Sequence, residues 1–177
     1  MARYILAIDP GNIESAFVII DAETLRPLHF GKMENEAVIK RSAYFVGLLY
    51  QLAIASAQPF SCEFAIEMIA SYGMPVGAEV FDTCVWIGEF KRAFSYNQLI
   101  TGCAYVYRRE EKLTLCGSPK ANDANIRQAL VDRFAKGQPN NGKGTKKAPG
   151  WFYGFHADIW QAYAVAVTYA ERERRNE

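Results

Sequence analysis

The chain contains no Cys-x-x-Cys pair, only two histidines, and no apolar run near the ~18 residues that a membrane span needs. Its four cysteines, Cys62, Cys84, Cys103 and Cys116, lie 22, 19 and 13 residues apart. That spacing indicates neither a zinc site nor a redox pair, and predicts reduced thiols buried among apolar neighbours. The opening MARYILAIDPGN has a short apolar stretch before Asp9, too brief for a secretory leader, so a reducing compartment is expected. Half of the 177 residues are apolar and 14% are aromatic, which excludes a disordered chain. A length of 177 residues predicts one domain spanning 1–177.

The net charge of +1 names no partner, but its distribution is uneven. No acidic residue occurs between Arg133 and Ala157, whereas Arg133, Lys136, Lys143, Lys146 and Lys147 are basic. A one-sided stretch on a neutral chain suits a phosphate-contacting surface, and charge alone fits a solvated loop equally well.

Periodicity predicts a three-strand meander from Arg3–Ile8, Ser15–Asp21 and Leu25–Gly31. Pro27 marks the third as an edge strand. A helix capped by Asn35 follows, with Val38, Phe45, Leu48, Leu52 and Ala55 at helical spacing. Cys62–Glu67 reads as a fourth strand and Val76–Phe94 as a helix whose face is Val80, Cys84, Ile87 and Lys91, with Phe81, Val85 and Gly88 alongside. Gly102–Tyr107 reads as a fifth strand, Leu113–Cys116 as a short extended piece, and Asn122–Phe134 as a helix. Lys136–Gly150 is too long and polar for an ordinary connector, so it is functional or mobile. The last helix runs from Ala157 and is apolar nearly all round. This order predicts an α/β fold with a mixed sheet flanked by helices.

Three acids stand at awkward places. Asp9 and Glu67 each end an apolar strand before a glycine-bearing loop, and Asp158 opens an apolar helix. Strand ends of an α/β sheet form the crevice where ligands bind. Carboxylates gathered there repel one another without a cation, and oxygen-only ligands suit Mg²⁺ or Mn²⁺, as two ions for phosphodiester displacement. Taken singly, each acid reads as well as a turn, solvated or helix-start residue. Lys120 and the lysines of the loop (Lys143, Lys146, Lys147) are candidate phosphate contacts, and Tyr72 is placed to wedge into opened DNA. Trp151, Phe152, Tyr153 and Phe155 suit core packing better than base stacking, and His29 takes no role.

AIDPGNIESAFVIID resembles the opening of the RuvC family of Holliday junction resolvases, within the RNase H-like superfamily. FAIEMIASYGMPVG is similar to that family's second acidic strand and loop, and HADIWQAYAVAVTYAE to its last helix. The likeness is greatest to the divergent phage-borne branch. It implies an RNase H-like sheet with a three-strand antiparallel meander plus parallel strands. Asp9 and Glu67 match the first two acids, and Asp158 matches the first of the final-helix pair. The second of that pair falls on Gln161, a departure that removes a charge, and His156 lies beside the site as another candidate ligand.

The resemblance implies a metal-dependent endonuclease that resolves four-way or other branched DNA, using Mg²⁺ with Mn²⁺ as a substitute. It further implies a homodimer in the cytoplasm of a bacterial or phage-infected cell, with neither membrane nor nucleotide cofactor. A branched-DNA-binding protein with a weakened site is the alternative, given Gln161. An actin-like phosphotransferase, suggested by Asp9-Pro10-Gly11-Asn12, is disfavoured because no second glycine-rich nucleotide motif occurs and the chain is too short for two lobes.

Overall fold

The three apolar runs at the start of the chain form an antiparallel meander of β1 (Ala2–Asp9), β2 (Glu14–Asp21) and β3 (Pro27–Glu34). The structure is a computed structural model and describes residues 2–55, 59–71, 73 and 75–176. Beyond β1 the sheet continues in parallel with β4 (Phe60–Met68) and then β5 (Ile100–Tyr107), in the order β3-β2-β1-β4-β5. The result is the mixed sheet that the sequence predicts, an antiparallel meander extended by parallel strands. Pro27 begins an edge strand, a place that tolerates a residue without a backbone donor.

Alternation along β1 and β2 divides the core between the two faces of the sheet. Ile5, Ala7, Ala16, Val18 and Ile20 pack beneath α5 (Asp123–Phe134) and α6 (Ile159–Asn176). Leu6, Ile8, Phe17 and Ile19 pack beneath α1 (Asn35–Lys40), α2 (Ser42–Ala55) and α3 (Ala78–Ser95). Helix α6 buries Ile159, Trp160 and every residue from Ala162 to Ala170, as its apolar composition predicts.

Several local expectations are corrected. Leu113–Cys116 is not extended; it is the end of α4 (Arg108–Cys116), which stops at Gly117 in the left-handed region (φ +67°). Asn35 does not cap a helix: it is the first residue of α1, buried, with its amide committed to the β1–β2 loop. The helix after the meander is interrupted at Arg41, and the side chains of Leu52 and Ala55 lie outside what is described. The last helix starts at Ile159, because Ala157 sits at φ +41°.

Helix α3 presents a different face from the one expected. Thr83, Ile87, Phe90 and Phe94 are buried, while Phe81, Cys84 and Val85 are exposed. Apolar residues lie all round this helix, so periodicity could not choose among its faces. Cys62 is buried as expected, and burial pushes its thiol up to about 12. Cys103 and Cys116 are half-buried.

The glycine-rich segment between α5 and α6 is an internally bonded knot. A 3-10 turn at Pro139–Gly142 leads to a tight bridge between Gly144 and Pro149, and Phe152 N–H donates to Gly142 O at 2.9 Å. Gly142, at φ +77°, has no room for a Cβ against Ala135 and Phe152. Phe152 and Phe155 belong to the core, as expected, whereas Tyr153 is exposed.

Candidate metal and nucleic-acid site

Register brings the first two acids together. Ile8 pairs with Ile66 across the parallel β1 and β4, so Asp9 and Glu67 follow side by side at the C-terminal ends of adjacent strands. The turn after Asp9 is tied down on three sides. Gly11 N–H donates to Ser15 Oγ at 3.2 Å, Ser15 Oγ donates to Asn35 Oδ1 at 2.6 Å, and Asn35 Nδ2 donates to Gly11 O at 3.0 Å. Gly11 lies against the Glu14 carbonyl, where a Cβ would clash.

The neighbouring strand adds residues that the sequence reading missed. Glu67 pairs with Val106 and Met68 with Tyr107, after which the chain turns directly into α4. That turn delivers Arg108 and, one helical turn on, Glu111, whose side chain is fully buried. Arg-Arg-Glu-Glu-Lys at 108–112 reads in sequence as a solvated charge run. The available signal was its position, directly after a third parallel strand in the same crevice.

The acids interact strongly. Burial raises the Asp9 carboxyl well above its usual range, and the charges of Glu67, Asp158 and Glu111 push the same way. The interaction between the two favours the proton on Asp9, raising Asp9 and lowering Glu67. Glu67 is raised by burial, opposed by the Arg108 guanidinium and by Asp9. Burial also raises Glu111 well above its range, with Glu67 adding and Arg108 opposing.

Chain cations hold the flanking acids. Lys32 Nζ is 2.9 Å from Asp158 Oδ2 and 3.4 Å from Glu14 Oε2. Arg108 Nη1 donates to Glu111 Oε2 and to Gln161 Oε1, each at 2.8 Å, while its Nη2 donates to Asp123 Oδ1. Among the described residues no group of three His, Cys, Asp or Glu is arranged to hold a metal ion as it stands.

The other candidates fall in different places. Gln161 joins the cluster through Arg108, whereas His156 is exposed in the turn before α6 and outside this network. Lys146 and Lys147 are exposed at the tip of the knot, and Lys143 is half-buried at its base. A cleft of about 520 Å³ runs from that base to the cluster, lined by Asn141, Ala157, Trp160, Gln161, Asp123 and Arg127 among others. Lys120 is exposed between α4 and α5; its neighbour Pro119 lines a second cleft with Arg108, Arg109 and Lys112. Arg109 and Lys112 were not anticipated from the sequence. Tyr72 lies outside the described residues.

Comparison with solved structures adds to this arrangement. A Thermus thermophilus RuvC structure matches over 98% of this chain and 96% of that chain, at 17% identity and a TM-score of 0.57. T. thermophilus RuvC in complex with Holliday junction substrate matches over the same shares, at 14% identity and a TM-score of 0.60. The fold is RuvC-like. No family model and no curated protein sequence matches the chain.

The RuvC-like sheet thus carries an oxygen-only donor set: the carboxylates of Asp9, Glu67, Asp158 and Glu111 and the amide of Gln161. Hard divalent cations prefer such donors. Glu111 Oε1 is buried with no hydrogen-bond partner among the described residues, so one donor oxygen is left uncommitted. Composition and orphan oxygen together fit a divalent ion.

Proposed function

We propose that this protein is a metal-dependent endonuclease that cuts four-way or otherwise branched DNA by phosphodiester hydrolysis, acting as a homodimer. The observation that carries the reading is the Asp9–Glu67 pair, side by side at adjacent parallel strand ends of a RuvC-like sheet, with Asp158 near enough for its charge to act on Asp9. Asp9, Glu67 and Asp158 would hold Mg²⁺ or Mn²⁺, as two ions. When bound, the ions supply an activated water and neutralise charge developing on the phosphate.

The chain's own residues do the rest. The closed ring of Gly11, Ser15 and Asn35 orients Asp9. Lys143, Lys146 and Lys147 on the knot, with Lys120 beside the basic cleft, contact phosphates and position the DNA backbone. The same T. thermophilus fold has been seen with a Holliday junction substrate, which supports branched DNA as the partner here. Tyr50, Ile54, Phe81 and Val85 leave apolar surface exposed on α2 and α3, which supports association of two copies.

The test uses a four-way DNA junction and a linear duplex with Mg²⁺, comparing the wild type with Asp9→Asn by gel assays of binding and cleavage. The expected result is junction cleavage lost in the variant with binding kept. Undiminished cutting by Asp9→Asn would remove the site. Junction binding without cleavage by the wild type would favour the binding-only alternative that Gln161 suggests. Sedimentation of the free protein tests the dimer.

A further inference from the structure

Helix α6 offers an amide, Gln161, at a place where its neighbours are carboxylates. Glu111 lies immediately beside that amide, since one nitrogen, Arg108 Nη1, binds both Glu111 Oε2 and Gln161 Oε1 at 2.8 Å. Two side chains from different helices therefore occupy adjoining positions at the edge of the acid cluster, and only the one on α4 is an acid.

Glu111 does not behave as a simple partner for Arg108. Arg–carboxylate pairs frequently engage through both oxygens, which leaves neither oxygen unpartnered. Here the side chain is fully buried, one oxygen binds Arg108, and Oε1 has no hydrogen-bond partner among the described residues. Arg108 already has Asp123 and Gln161 as acceptors. A buried carboxylate oxygen left without a partner is costly, so the group is suited to a state in which a cation completes it. Register places Glu111: Glu67 pairs with Val106 and Met68 with Tyr107, α4 begins at the next residue, and Glu111 is buried one turn into α4 at the same end of the sheet as the strand-end pair.

We propose that Glu111 is a metal-binding residue that supplies from α4 the carboxylate missing at Gln161 on α6, with Arg108 as the counter-cation that holds it in the metal-free protein. The proposal rests on the metal-dependent reading above. It raises the acids at the site from Asp9, Glu67 and Asp158 to a set of four, whose charge balances two divalent cations. Gln161 remains useful as an acceptor for Arg108 and as a neutral oxygen donor.

The experiment measures Mn²⁺ binding by isothermal titration calorimetry, without DNA, for the wild type, Glu111→Gln, and Glu111→Gln combined with Gln161→Asp. Circular dichroism checks folding of each. The single variant is expected to bind Mn²⁺ at least about tenfold more weakly, because ligand charge sets divalent affinity. The double variant returns the charge to the adjoining position and is expected to recover to within about threefold of the wild type. A purely structural role for Glu111 would not be rescued in this way.

Unchanged affinity in folded Glu111→Gln would overturn the assignment of Glu111 and leave the nuclease reading standing. A double variant as weak as the single one would overturn it too. If Glu111→Gln does not fold, the double variant decides alone: wild-type affinity supports the proposal, and lost affinity rejects it. Absence of Mn²⁺ binding by the wild type would overturn both this proposal and the metal-dependent reading.

Discussion

Lys32 Nζ on β3 lies 2.9 Å from Asp158 Oδ2 at the start of α6, so a cation of the chain occupies an acid proposed to hold a metal ion. Asp158 in turn keeps the Lys32 ammonium protonated above its ordinary range. The Asp158 side chain is 50% exposed and Lys32 is 28% exposed, so solvent screens much of the attraction. Such a pair contributes less than about 1 kcal/mol.

Lys32→Ala should therefore leave the metal-free melting temperature within a few degrees of the wild type. It should also lower the Mg²⁺ concentration at half-maximal thermal stabilisation, because Asp158 no longer has an internal competitor. Thermal melts across a Mg²⁺ series measure both. An unchanged or higher half-saturation would mean that Asp158 does not ligate the ion.

The buried acids make a pH prediction whose sign is set by their raised positions. Asp9, Glu67 and Glu111 all lie above their ordinary values of 3.8, 4.5 and 4.5. Between those values and the raised ones, the native state holds more protons than the unfolded chain. Stability from these groups is therefore present at low pH and falls as pH rises through that window. His29 acts oppositely: burial and Arg41 lower it, so its contribution is lost as pH falls below its ordinary value of 6.5.

Comparing the wild type with Asp9→Asn cancels the His29 contribution, which both proteins share. Without metal, Asp9→Asn should melt higher than the wild type at pH 8, by several degrees at ~2–4 °C per kcal/mol. The gap should shrink toward pH 4 and reverse with saturating Mg²⁺ at pH 8. A gap independent of pH would contradict the electrostatic origin.

The basic knot predicts a salt effect. Replacing Lys146 and Lys147 by Ala should weaken junction binding and reduce the slope of log affinity against log salt, by roughly 0.9 for each phosphate that is no longer neutralised. Lys143 is half-buried at the base of the knot, so its replacement should add less. Fluorescence anisotropy at several salt concentrations checks this. An unchanged slope would mean the lysines are only solvated.

What the sequence revealed and what it concealed follow from where each interaction is made. Asp9 and Glu67 were legible because a continuous apolar run ending in an acid marks a buried parallel strand, and the sheet pairs those runs directly. Asp158 was legible from a helix with scarcely any polar face. Glu111 was concealed because its burial depends on β5 reaching Tyr107 before α4 turns back over the sheet. Within five residues carrying two Arg, two Glu and a Lys, no periodic signal separates a buried acid from an exposed one. Helix α3 was misread for the opposite reason: it has apolar residues on more sides than the sheet can cover.

A final prediction concerns the hydrogen-bond chain that fixes α6. Tyr163 is fully buried, and its hydroxyl donates to Leu25 O at 2.8 Å while accepting from Trp151 Nε1 at 3.1 Å. Leu25 stands at φ +62°, an unfavourable region for a residue with a Cβ, so this bond helps to hold a strained turn. Trp151 stacks on Phe134 at 5.2 Å between centroids and 8° between planes, which carries the connection into α5. Tyr163→Phe keeps the ring packing and removes only the hydroxyl, leaving the Leu25 carbonyl and the Trp151 N–H without their partner. The expected cost is about 1–3 kcal/mol, read as a lower urea midpoint at unchanged slope. Mn²⁺ affinity should stay at the wild-type value, since the hydroxyl contacts none of the four acids. Wild-type stability in Tyr163→Phe would show that the hydroxyl does not secure the turn, whereas a fall in Mn²⁺ affinity would show that the position of α6 controls the metal site.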